Sequence, residues 1–433
     1  MIRRALLGTT FAPAAAALAA CGLPQGASRA DSGAAARTAP FTLEVLVPFG
    51  PVEQAWWDEV AAPRYREKYP QAKILWGPFD WGPLTEKLTV AKVSGGMPDV
   101  FRQGTSFVSV AAEKDLALPV DDRVARAGLR KDYFDAAWTT VEWKGKSYGL
   151  PMASSHRIYW YRQDFAAEVG LTIRDDWTWE QHVEAARRLT KVDGNQTTRL
   201  GFTPPNSSLD EFLALLASAG GRPTARGVAA FNTPAGAWAL QTLLDRRLAT
   251  LPPGREPPPA LTGNALGTGT AAMTFTNLSI VRAVRDASPG AEANLAVPQL
   301  PLKQRRISFS YNDWNAISTE TKLRDPAWDF IALWVDPPVL LEYTRRANVI
   351  PARKSVAEQA KAHHLKEPYA RKAVDLLHTQ SQAFPILPQF TRLASAFNAE
   401  MVAALTGQKS VKEALATAEQ QWTAILSQEG WKV

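Results

Sequence analysis

Residues 41–76, FTLEVLVPFGPVEQAWWDEVAAPRYREKYPQAKILW, contain a strand, a turn, a helix and a second strand in that order. Leu43, Val45 and Val47 alternate with polar or smaller neighbours, the period of two expected of a half-buried strand. Pro48 to Pro51 breaks that run, and Val52, Trp56 and Val60 then recur at steps of four, which places them on one helix face. Lys73 to Trp76 reads as the next short strand. The pattern continues with a helix over Leu84 to Val93, a stop at Gly95-Gly96, and a further strand over Pro98 to Phe101. Strands and helices alternating in this way predict an α/β fold whose sheet is mostly parallel and carries helices on its faces.

Farther along, helix starts are marked by residues that satisfy unpaired amide groups. Thr178 with Gln181 and Ser410 with Glu413 have capping-box spacing, while Thr233-Pro234 and Asp325-Pro326 pair a capping side chain with proline at the first helical position. From Ser410 onward, Val411, Leu415, Trp422 and Ile425 share one face, so a terminal amphipathic helix is expected to pack on the body. Pro252 to Pro258 holds four prolines in seven residues and reads as an exposed connection. No repeat of 20 to 50 residues is evident, which argues against solenoids and propellers.

Toward the amino terminus, Gly22 to Pro40 is rich in Ala, Gly, Ser and Pro without apolar periodicity, as a flexible tether would be. Before it, Arg3 and Arg4 precede an uncharged run from Ala5 to Ala20, the pattern of a secretory signal over 1–20. That run is short for a membrane-spanning helix, which needs about 20 apolar residues. Leu18-Ala19-Ala20-Cys21 resembles the bacterial lipoprotein processing box, so Cys21 is expected to become the lipidated first residue of an exported, membrane-anchored chain. The alternative is a buried or unmodified thiol. Cys21 is the sole cysteine, so no intramolecular disulfide supports the fold.

The 433 residues, 46% apolar and 21% charged, suit two or three globular units without cross-links. The 49 basic residues less Arg3 and Arg4, set against 42 acidic ones, leave a mature charge of +5. Such a mild charge, with no basic run and no zinc-finger or RNA-binding signature, gives little support to nucleic-acid binding. There is no nucleophile-elbow, phosphate-loop or zincin motif, and the five histidines show no metal-ligand spacing beyond the adjacent His363 and His364, so neither cofactor nor metal is expected. Acidic pairs such as Asp121-Asp122 and Asp175-Asp176 read as caps or solvated loops. A secreted lipoprotein enzyme acting on polysaccharide is the main rival, because sequence leaves opposed carboxylates possible.

In order, several segments of the chain resemble the extracellular solute-binding proteins of ATP-driven sugar importers, the maltose-binding-like group. They are EVLVPFGPVEQAWWDEVAAPRYREKYPQAKI, SGGMPDVFRQG, YGLPMASSHRIYWYRQDFAAEVGL, TWEQHVEAARRL, GTGTAAMTFT, DWNAISTETKLRDPAWDFIALW, NVIPARKS and LTGQKSVKEALATAEQQW. The resemblance implies a two-lobed, type II periplasmic-binding-protein fold, each lobe an α/β unit, joined by a hinge of crossing strands and closing on ligand held between them. It places lobe one at 41–150 plus 306–345 and lobe two at 151–305 plus 346–433. The implied partners are a carbohydrate ligand and the membrane permease of an ATP-binding-cassette importer; a monomer is expected, and polyol phosphates or polyamines remain alternative ligands.

A sugar offers apolar ring faces and a rim of hydroxyls, so its site needs aromatic platforms beside polar groups. Of 15 Trp, 9 Tyr and 17 Phe, most must be core. Those in loops after strands are the better candidates: Phe49, Phe79, Trp81 and Trp314. Matching to the family adds Thr105 and Ser106, Ser155 and His156, Asp210 and Glu211, and Asn312 and Asp313, each with a solvated loop or a helix cap as its alternative role. Relatives that bind linear maltose-type sugars carry aromatics where this chain has Ser279 and Ala394. Phe275 and Tyr311 are the possible replacements, and specificity for those sugars does not carry over.

Overall fold

The structure, a computed structural model, describes residues 39–81, 84–203, 208–251, 264–387 and 389–428. The proposed signal, Cys21, most of the tether and the proline-rich segment 252–258 lie outside the described residues.

Chain order runs first through β1 (Phe41–Leu46), β2 (Ala72–Trp76) and β3 (Val100–Gln103). A small hairpin of β4 (Glu142–Trp143) and β5 (Lys146–Ser147) precedes β6 (Leu150–His156). One residue later, after Arg157, the chain enters a second sheet with β7 (Ile158–Arg162), β8 (Lys191–Asp193) and β9 (Gln196–Phe202). Another hairpin, β10 (Thr224–Ala225) with β11 (Val228–Ala229), is followed by β12 (Ala271–Thr276) and β13 (Leu295–Ala296). The ten-residue β14 (Ser308–Ile317) returns to the first sheet, which β15 (Ile350–Pro351) and β16 (Ser381–Ala383) complete.

The first sheet has the order β15-β6-β14-β3-β1-β2, with β16 also on β14, and the second β13-β7-β12-β9-β8. The expected β-α-β start is present, with β1 parallel to β2 and to β3. The expected predominance of parallel pairing is not, and the sheets are mixed. β14 runs antiparallel to β3 and β6, and β7 runs antiparallel to β12 and β13. The reason is the crossing. β6 and β7 follow each other with one residue between them, and strands that carry the chain from one sheet to the other run against the strands built by helical crossovers.

Two apolar cores result. One gathers Leu43, Val45, Trp56, Trp57, Trp314 and Trp334, the other Trp160, Phe212, Phe231, Met273, Phe309 and Trp422. Residue 150, the expected edge of lobe one, is the first residue of β6, and β6 pairs along its length with β14 in the first sheet; the step between sheets falls at Arg157. Ala352 and Val356 also pack in the first core, past the expected limit of 345.

Sequence signals at helix ends are realised closely. Thr178 Oγ1 accepts from the Gln181 amide while the Gln181 side chain accepts from the Thr178 amide; Ser410 and Glu413 form the same reciprocal pair, and Thr233 caps at Gly236. Asp325 is the exception. The helix Arg324–Trp334 begins before it, and its carboxylate pairs with Arg123 at 2.5 Å. In the first helix the step of four also gives way. A π-helical turn over Trp57–Ala61 takes an extra residue, and the adjacent Trp56 and Trp57 both reach the core.

Trp314 is wholly buried, its indole N–H donating to the Gly104 carbonyl at 3.0 Å, and a Cβ on Gly149 would stand 2.5 Å from its ring. Trp314→Ala should therefore lower stability by about 3–5 kcal/mol. Denaturant unfolding that leaves the midpoint unchanged would contradict this placement.

Two histidines are enclosed without hydrogen-bond partners among the described residues: His156 on β6, and His182 boxed by Tyr159, Trp177, Trp179 and Phe202. Burial, and then His378, holds His156 down at about 3 against an ordinary 6.5; burial, and then Arg246, pushes His182 well below that value. Folded-state pKa values below the unfolded ones give stability that is present above pH 6.5 and lost as the pH falls toward the folded pKa. Each histidine contributes a slope of about 1.4 kcal/mol per pH unit. His156→Leu should flatten the decline measured by unfolding between pH 6.5 and 4; an unaltered slope would count against a neutral buried ring.

Candidate functional site

β1, β2 and β3 are mutually aligned, so their carboxyl ends present three loops on one side of the first sheet, where ligands of open α/β sheets bind. The first two loops enclose an open groove of about 660 Å³ lined by Phe49, Trp76, Phe79, Asp80 and Trp81, among others. Phe49 stacks on Trp76 with centroids 3.7 Å apart and 12° between planes, while Phe79 and Trp81 meet edge to face at 4.7 Å. Trp81 is 48% exposed, a large apolar surface to leave in water. It also reaches the third loop, for a Cβ on Gly104 would lie 3.7 Å from its ring. Gly104 thus lies between Trp81 above and Trp314 below.

The second set of groups gathers where the chain steps between sheets. On β6 and β14, Ser155 pairs with Tyr311. Ser155 Oγ accepts from Asn277 Nδ2 at 2.7 Å, and Asn277 stands at the carboxyl end of β12 in the second sheet. Arg157 lies 3.2 Å from Asp210 in the first turn of the helix Ser208–Ser218, and its guanidinium sits 5.0 Å from the centroid of the Tyr311 ring. Burial first, then the Asp210 carboxylate, push the Tyr311 phenol well above its ordinary pKa and keep it protonated. Asp313, half-buried, follows on β14. Burial raises its carboxyl pKa, and Arg102 opposes that rise.

Several residues expected at a ligand site prove structural. Trp314 is core. Glu211 is enclosed, held by Arg246 through two contacts of 2.5 Å and by the Tyr159 hydroxyl at 2.6 Å, and Phe275 packs on Tyr159 inside the second core. His156 is buried next to Ser155, on the opposite face of β6. Asn312 is a buried hub, with Oδ1 accepting from Ser154 and Ser310 and its amide donating to Thr105 Oγ1 at 2.7 Å. Thr105 is thereby a brace between the third loop and β14. Ser106 is half-buried in the turn Thr105–Phe107.

Of the expected residues, Phe49, Phe79 and Trp81 share the groove, and Ser155, Asp210, Tyr311 and Asp313 lie around the crossing. Sequence reasoning passed over Trp76, Arg157 and Asn277. Asn277 follows β12 directly, so the strand-then-loop rule that picked out Phe49 would have found it. Arg157 has a fainter signal, a lone basic residue between two strand-like runs.

Comparisons with known proteins agree with this architecture. A mannitol-binding protein of Pseudomonas aeruginosa is 24% identical over 399 residues, covering 85% of this chain and 89% of the relative. Among solved structures, the sugar-binding protein MalE from Xanthomonas citri superposes with a TM-score of 0.77 at 20% identity, over 90% of this chain and 98% of that one. A solute-binding protein of an ABC transporter from Thermotoga lettingae, bound with α-D-tagatose, gives 0.76 at 19% identity, over 89% and 99%. At such identities the structural likeness establishes the two-lobed fold. The profile described as bacterial extracellular solute-binding protein matches residues 61–373, which run from before β2 to beyond β15 and include residues of both cores. The chain is a member of the bacterial extracellular solute-binding protein family.

Proposed function

We propose that this protein captures a small carbohydrate or polyol between its lobes and hands it to the permease of an ATP-binding-cassette importer, binding without chemical turnover. The observation that carries the reading is Trp81, a half-exposed indole in an aromatic-lined groove over the carboxyl-end loops of a parallel strand set. An indole supplies an apolar plane for a sugar ring, and Ser155, Asn277 and Asp313 supply hydroxyl partners. The relatives named above as binding mannitol and tagatose support the ligand class. A lipid anchor at Cys21 would hold the protein at the membrane. Among the described residues no helix is long and apolar enough to cross a membrane, and no cluster of His, Cys, Asp and Glu is arranged to hold a metal ion.

A thermal-shift screen of sugars and alditols, mannitol among them, tests the proposal. A ligand at a hundred times its dissociation constant should add about 2.7 kcal/mol of stability. Trp81→Ala should weaken binding by roughly thirtyfold, about 2 kcal/mol, and barely move the melting temperature without ligand. Unchanged affinity would move the site away from this groove, and release of product from an oligosaccharide would favour a hydrolase.

Cys21→Ala should release the protein from membranes of cells lacking the transporter while its melting temperature stays put. A variant that remains membrane-bound in that fractionation would refute the anchor.

A further inference from the structure

Arg157 has a chemical role that the fold alone does not demand. It is the single residue between β6 of the first sheet and β7, the first strand of the second, and Ser308 Oγ donates to its carbonyl. Its side chain, 27% exposed, touches Asp210 and the ring of Tyr311, a residue of β14 in the first sheet whose ring packs on Phe384 of the second core. A guanidinium carries five N–H donors in a planar fork. Asp210 takes the contact at 3.2 Å, and no other side chain among the described residues accepts from the fork. Donors of the fork therefore remain without a side-chain acceptor among the described residues, next to the ring of Tyr311, the cross-strand partner of Ser155.

Charge decides what such a fork selects. Asp210 is 5% exposed and is itself too enclosed to meet ligand, but it cancels the charge of Arg157. Asp313, two residues beyond Tyr311 on β14, adds a half-buried carboxyl near Arg102. A phosphate or carboxylate ligand would meet an arginine already neutralised by Asp210; a polyamine would meet the guanidinium. A neutral ligand with neighbouring hydroxyls suits both, its oxygens taking the fork's donors and its hydroxyls donating to acid groups.

We infer that Arg157, neutralised by Asp210 and seated on Tyr311, is the specificity-determining residue that restricts the cleft to uncharged polyhydroxylated ligands, reading a vicinal pair of oxygens. This rests on the carbohydrate-capture reading. Asp210 and Tyr311 act as positioning residues.

The test is calorimetric titration of the full mature chain with mannitol and neutral monosaccharides, the matching sugar phosphates and uronates, and spermidine. The parent should bind neutral members and discriminate at least tenfold against the charged ones. Arg157→Lys, which keeps the charge and loses the fork, should weaken neutral ligands tenfold or more with little change in melting temperature. Asp210→Asn leaves the arginine charge exposed, and should shift the ratio of affinities toward phosphate or uronate. The double variant Arg157→Gln/Asp210→Asn, which removes both charges, should lose that shift, a reversal that loss of packing alone would not produce. Preference of the parent for a charged member, or neutral binding unaffected by Arg157→Lys, overturns the inference while leaving solute capture intact. Binding of no panel member by the parent overturns the carbohydrate reading itself.

Discussion

One strand has to serve two cores at once. β14 contributes Phe309 to the second core and Trp314 to the first, and it is paired along both edges, by β6 on one side and by β3 and β16 on the other. A buried strand with an unpaired edge would leave amide and carbonyl groups unsatisfied, at a cost comparable to a lost hydrogen bond for each. The crossing strands β6 and β14 supply that pairing to each other within the first sheet, while the second sheet is built from its own five strands. The pairing slips between Asp313 and Trp314, where β6 carries Met152 as an extra residue beside Pro151. Proline has no N–H for the ladder, and a bulge at that point lets the strand bend between cores without losing a bond it could make.

The interior between the cores is polar. Ser154, Ser310 and Asn312 bind one another where apolar contacts would otherwise lock the strands in place, and Thr105 ties that cluster to the loop beneath Trp81. A satisfied polar network fixes register strongly, because each member would be left unpaired by a slip. It buries little apolar area, so rotating one lobe on the other need not open either core. Hinge closure of a two-lobed binding protein calls for this combination of fixed strand pairing and thin apolar contact. The same strands bring Trp81, through Gly104 and Thr105, into a continuous chain of contacts with Tyr311 and Arg157.

Local signals were legible wherever the chemistry is local. The β-α-β start, the caps at Thr178, Thr233 and Ser410, and the burial of Trp422 are all set by neighbouring residues, and the structure shows each. The ordered run of family segments carried the two-lobed fold. Sequence pattern could not supply the direction of a side chain at a crossing. Asn312 and Trp314 share a segment with Tyr311 and Asp313, yet alternation and the bulge send the first two inward and leave the others half-exposed. The loop rule that picked out Trp81 also picked out Trp314, which is buried because the strand lying beside β3 in space is β14, far along the chain. Arg157 escaped for a similar reason, its partners lying 53 and 154 residues away.

Asp210 and Glu211 show how much adjacency conceals. They are consecutive, chemically alike and buried in the same helical turn, so roughly 100° of rotation decides between two roles. Glu211 points into the second core and meets Arg246, itself 3% exposed, with the Tyr159 hydroxyl and the Phe202 ring completing the enclosure. Removing one partner there would strand a charge in an apolar interior, which costs about 3–5 kcal/mol, so that pair is committed to the fold. Asp210 turns toward the crossing and meets an arginine with more than a quarter of its side chain in water. Solvent screens that pair, and the energy at stake in it is correspondingly smaller. A cation held at one edge by a screened pair keeps donors for a ligand, whereas the sealed one does not. Function therefore falls to the acid whose cation still touches water.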